Sequence, residues 1–120
     1  SSGARAFYAA ILDAQRAAIE AIKPGVSCEA VDRAARKVLQ KNKLARYFTH
    51  STGHGVGLEI HEAPRVASGQ EQLLKSGMVI TVEPGAYIPG QWGVRIEDVV
   101  VVTEAGCEVL APNQKEFIEV

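Results

Sequence analysis

The chain is poor in the residues that mark the commoner catalytic and binding classes. Its two cysteines, Cys28 and Cys107, have no CxxC spacing and read as buried free thiols of an intracellular protein. No apolar run approaches the length of a membrane span and no signal-peptide pattern is present, so a membrane partner is not expected. No GxSxG exists for a serine hydrolase. Gly53, Gly55 and Gly57 miss the GxGxxG spacing, and no Lys-Ser/Thr follows them to form a phosphate loop. His61-Glu62 begins like the HExxH zinc helix, but Pro64 and Arg65 break both the helix and the second histidine. Neither sign of charge predominates overall, at a net −1, although residues 1–46 hold nine Lys/Arg against four Asp/Glu. Arg33, Arg36, Lys37 and Lys41 alternate with an apolar stripe and no aromatics are interleaved. That pattern reads as a solvated helical face, and nucleic acid is not expected.

What is present is enough for one domain: 120 residues, 47% of them hydrophobic. Residues 5–22 read as an amphipathic helix, with Phe7, Ile11, Ala14, Ala18 and Ile22 at helical spacing, ended by Pro24-Gly25. Ser27 is placed as the N-cap of a second helix, with Val26 and Val31 as a hydrophobic staple. Its stripe is Val31, Ala34, Ala35, Val38 and Leu39, finishing near Asn42. Beyond Tyr47 the period changes to two. Val56, Leu58 and Ile60 alternate as in a half-buried strand, and a polar loop follows over 63–77. Residues 78–83 form a second strand, stopped by Pro84-Gly85; 93–103 form the longest strand, and 107–110 its short hairpin partner. Helices at 5–42 followed by strands at 47–110 predict an α+β fold, two helices on one face of a curved antiparallel sheet.

The chemistry-bearing residues lie in three segments: HSTGHGVGLEIHE at 50–62, VEPG at 82–85 and RIED at 95–98. The first holds all three histidines, in a glycine-rich turn entering a strand. Strand parity places Glu83 with Val79 and Thr81 on one face, and Arg95 with Glu97 on one face, while Ile96 and Asp98 point the other way. A carboxylate inside a strand as apolar as VRIEDVVVV is costly to bury unless a cation meets it. As a pattern alone, an ion pair with Arg95 and a metal site stand level.

Taken together, the three segments resemble the pita-bread metallopeptidases, and RIED brings them nearest to the prolidase and aminopeptidase P branch. The resemblance implies one half of a pita-bread domain and a dinuclear-metal peptidase acting on Xaa-Pro bonds of proline-containing peptides. It implies His54, Glu83 and Glu97 as metal ligands, with Glu97 bridging two ions and Glu83 also shuttling protons. It makes His61 the group that contacts substrate and stabilises the tetrahedral intermediate, and it puts His50 and Arg95 beside the substrate. Two divalent ions, Mn, Co or Zn, are implied. The family's other two ligands are aspartates on an upstream hairpin, and Asp13, Asp32 and Asp98 do not fit that place. The chain is therefore expected to be the C-terminal half of a catalytic domain, silent by itself and binding metal weakly or not at all. Its uncovered sheet edge suggests a homodimer; the expected location is cytoplasmic. A non-catalytic peptide- or protein-binding module of the same fold and a creatinase-like amidinohydrolase are the competing expectations.

Overall fold

The computed structural model describes residues 2–56 and 64–119, with side chains as far as Leu110. Helix α1 spans Ser2–Ala21 and α2 spans Cys28–Lys41. Both follow from their stripes. Ile11, Ala14 and Ala18 of the first, and Val31, Ala35 and Leu39 of the second, are fully buried. The alanines leave room for close approach to whatever the helices cover. The Ser27 cap forms as expected, its hydroxyl accepting from Ala30 N at 3.1 Å.

A 3₁₀ turn at Ala45–Tyr47 leads into β1 (Gly53–His54), which pairs with β2 (Arg65–Val66). The larger sheet holds β3 (Val79–Val82), β4 (Gly85–Ile88), β5 (Trp92–Thr103) and β6 (Gly106–Glu119), antiparallel throughout. Helices therefore cover one face of an antiparallel sheet, and the α+β expectation is borne out. Ile96, Val100 and Val102 of β5, with Ile80 and Val82 of β3, form the sheet's side of the core. Arg95, Glu97, Val99 and Val101 are only half buried, on the opposite face.

Three expectations need correction. Pro84-Gly85 does not end the pairing with β5: β3 and β4 are collinear, pairing Val82 with Asp98 and then Gly85 with Arg95. Proline lacks a donor, yet its carbonyl still accepts from Ile96 N at 3.3 Å, so the interruption is local. The hairpin partner of β5 is also much longer than 107–110, running to Glu119 with register shifts opposite 97–100. Pro112 lies within it, tolerated because, among the described residues, β6 pairs only with β5 and so lies at an edge. Finally, of the strand expected at Val56, Leu58 and Ile60 only Val56 is described, and it lies outside β1, which ends at His54. Val56 is 49% exposed, and 57–63 lie outside the described residues.

Candidate metal centre

The site is assembled on the open face of the sheet, along the break between β3 and β4. Continuing the register of Val82 with Asp98 toward Gly85 with Arg95 sets Glu83 directly opposite Glu97. Glu83 turns its N–H away from β5, donating to Thr52 O at 2.6 Å. The pair is thus of the non-hydrogen-bonded kind, in which side chains come closest, about 4.5 Å between Cα atoms. Asp98 points to the other face, where it is buried and hydrogen-bonded by Gln15.

His54 reaches the same place from the neighbouring edge. Residues 52–56 run beside β3, with Gly55 bridging Ile80 and Val56 N donating to Val79 O at 2.8 Å. Gly53 makes this approach possible. A Cβ there would lie 1.8 Å from the backbone oxygen of Thr81, a distance no side chain can tolerate. His54 Nδ1 lies 3.0 Å from Gly55 O. A carbonyl only accepts, so Nδ1 carries the proton and the neutral ring keeps its lone pair on Nε2. That nitrogen stands 3.6 Å from Glu83 Oε2, with the histidine side chain 56% exposed and the glutamate 16%.

On this face the acidity of Glu97 departs clearly from its ordinary value. Burial pushes the Glu97 carboxyl above its ordinary range, the facing Glu83 carboxylate adds to this, and a hydrogen bond with Glu83 adds further. Arg95 and His54 pull it back down without cancelling the rise. The sign of the pH effect follows. With its folded pKa raised, Glu97 holds a proton that the unfolded chain has released, so stability falls as pH rises from about 4 through the raised value. Thermal melts in chelator should show that loss for wild type and its relief in Glu97→Gln; equal pH profiles would contradict the arrangement.

His50 lies farther along the same face. Its Nδ1 donates to Ser51 O at 2.8 Å, and its Nε2 is 2.8 Å from the Tyr87 hydroxyl, which donates to it when the ring is neutral. The Tyr87 ring lies across Gly93, and a Cβ on Gly85 would meet the Tyr87 hydroxyl at 2.7 Å and Arg95 Cβ at 3.2 Å. His50, Tyr87 and Arg95 therefore form a polar rim next to Glu97. Of the six residues expected at the site, five share this face. The sixth, His61, lies outside the described residues. Tyr87 was missed, although its parity with Glu83 across Gly85 was the available signal. Asp32, Thr52 and Arg36 were missed too. Arg36 is not part of a solvated face: its side chain is 29% exposed and spans α2 and the loop that carries His50.

One imidazole with a free Nε2 and two carboxylates in need of a cation suit a divalent ion. Two ligand atoms about 2.1 Å from a shared tetrahedral ion lie about 3.4 Å apart, close to the spacing of His54 and Glu83. Among the described residues no three His, Cys, Asp or Glu side chains form a ready-made metal cluster. The donors converge on one region without closing on a point.

Residues 1–104 match the model of metallopeptidase family M24. The chain is 49% identical over 114 residues to an Xaa-Pro dipeptidase of Pyrococcus furiosus, covering 95% of this chain and 33% of that protein. It is 56% identical over 99 residues to a probable dipeptidase PepE of Mycobacterium tuberculosis, covering 82% and 26%. Among solved structures it superposes on the prolidase of Pyrococcus horikoshii with a TM-score of 0.89 at 44% identity, covering 98% of this chain and 34% of that one. For the dipeptidase PepE of Mycobacterium ulcerans the TM-score is 0.87 at 50% identity, covering 93% and 31%. The chain thus spans about a third of the length of the relatives it matches.

Proposed function

Because the chain belongs to metallopeptidase family M24, we propose that the full-length protein is a dinuclear-metal peptidase that hydrolyses Xaa-Pro bonds, with this chain supplying one half of its catalytic domain. The observation that carries the proposal is the meeting of His54, Glu83 and Glu97 on one sheet face, with Arg95 beside them. The names of the similar proteins, Xaa-Pro dipeptidase and prolidase, support the substrate class.

Two divalent ions, when bound, supply Lewis acidity and a nucleophile at neutral pH. His54 offers Nε2 as a ligand, held in orientation by Gly55 O through the other ring nitrogen. Glu97 and Glu83 would offer carboxylates to the ions, Glu97 from the centre of the sheet and Glu83 from the strand opposite it. Glu83, at the break in the strand, is the group placed to take a proton from the attacking water and pass it to the leaving prolyl nitrogen. His61 donates to the developing oxyanion. His50 and Arg95, with Tyr87 between them, hold the substrate on the rim.

Mn, Co and Zn all suit mixed imidazole and carboxylate ligation. The two free cysteines fit a reducing compartment, the cytoplasm, and the open edge of the sheet fits a homodimer. Alone, this chain offers three of the five ligands implied by the family, so it is expected to be silent. The test is an assay of the full-length protein on Xaa-Pro dipeptides, longer peptides with proline second, and non-prolyl controls. Prolyl substrates should be cleaved, activity should vanish in chelator, and Mn, Co or Zn should restore it. Chelator-resistant turnover, or indifference to proline, would overturn the proposal.

A further inference from the structure

We propose that Asp32 and Arg36, one turn apart on α2, are positioning residues that set the loop carrying His50 and, through Thr52, the backbone of Glu83. The inference rests on the reading of this face as a peptidase centre and names what holds it in shape. Residues 48–52 lie between the 3₁₀ turn and β1, so their backbone groups have few ladder partners and must be met by other means. Asp32 is 1% exposed, and both its oxygens are used. Oδ1 accepts from the Thr52 hydroxyl at 2.7 Å, and Oδ2 accepts from Arg36 Nε at 2.7 Å.

Arg36 then spreads its remaining donors over the loop. One terminal nitrogen donates to His50 O at 3.0 Å and the other reaches Phe48 O at 3.5 Å. The guanidinium lies 4.3 Å from the centre of the Phe48 ring, whose neighbour at 4.9 Å, edge to face, is the imidazole of His50. Thr52 completes the link, because its N–H donates to Val66 O and its carbonyl accepts from Glu83 N at 2.6 Å. A buried carboxylate is costly, and apolar packing would join α2 to the sheet at least as well. Here the charge is spent on alternate residues, 48, 50 and 52, immediately before His54. That is the placement expected of a device that orients a site.

Lysine keeps the charge of Arg36 but cannot span three acceptors in one plane. Arg36→Lys in the full-length protein should therefore lower kcat/KM about tenfold, with Mn²⁺ affinity near wild type, and should shift the His50 ring signals in NMR spectra. Thr52→Val should act on the other arm, lowering Mn²⁺ affinity about tenfold or more and shifting the His54 signals, whereas Thr52→Ser, which keeps the hydroxyl, should restore both. Arg33→Lys on the same helix, in the exposed Glu29 pair, should match wild type throughout. If Thr52→Val does not fold, Arg36→Lys alone decides through His50. Variants that melt earlier, yet keep wild-type ring signals, Mn²⁺ affinity and kcat/KM at a permissive temperature, would overturn the proposal. Ring signals that move as expected in a protein that cleaves no prolyl peptide would remove the peptidase reading and leave the positioning role standing.

Discussion

Glu97→Gln in the full-length protein is expected to abolish prolyl-peptide hydrolysis while leaving the domain folded. Glu97 is the carboxylate on which Glu83, Arg95 and His54 all act, and the amide removes its negative charge with almost no change of shape. Lewis-acid assistance is worth several kcal/mol, and each 1.36 kcal/mol is tenfold in rate, so the loss should be on the order of a thousandfold. The strand itself should survive. Ile96, Val100 and Val102 pack on the helix side, and nothing in that core depends on the charge across the sheet. Without metal the variant should even gain stability at neutral pH, because the repulsion from Glu83 is gone. Circular dichroism and metal content measured together check this. An unfolded variant, or one with metal content and activity unchanged, would point to a structural ion pair with Arg95 instead.

Gly53→Ala should be severely damaging: among the described glycines its Cβ would make the tightest backbone clash. The added carbon would meet the Thr81 backbone at 1.8 Å, and backbone cannot turn aside as a flexible side chain can. Overpacking in a well-filled interior costs about 1–3 kcal/mol and more when backbone must move. Here the motion would peel residues 52–56 from β3, carrying His54 away from Glu83 and loosening the bond from Glu83 N to Thr52 O. A lower melting temperature together with weaker metal binding is expected. A contrasting case is Gly69, whose Cβ would meet nothing within 4 Å but whose φ of +80° strains an alanine there. Gly69→Ala should cost some stability and leave metal affinity intact.

The helices were legible because their information is local. Phe7, Ile11, Ala14, Ala18 and Ile22 mark a stripe that any period-3.6 count finds, and all five are buried. Parity was equally informative within β3 and within β5, since alternation on a strand needs no knowledge of its neighbours: it set Arg95 and Glu97 on one face and Asp98 on the other, while the register between the strands was needed to bring Glu83 onto the same face. The strand β4 was hidden because Pro84 reads as a terminator, and only the partner strand shows that pairing resumes at Gly85. Arg36 was misread for a related reason. Its charge and helical position suggest solvent, while the carbonyls that hold it belong to a loop twelve and fourteen residues later. Cys28 and Cys107 are both free thiols as expected, but only Cys28 is buried while Cys107 is partly exposed; burial raises the pKa of both.

The central claim is that His54, Glu83 and Glu97 hold metal. Anomalous diffraction from crystals of the full-length protein grown with Mn²⁺ tests it most directly. The account predicts peaks bonded to His54 Nε2 and to both carboxylates, with Glu97 shared between two ions. Peaks elsewhere, or an ion-free site with Arg95 seated between Glu83 and Glu97, would contradict it.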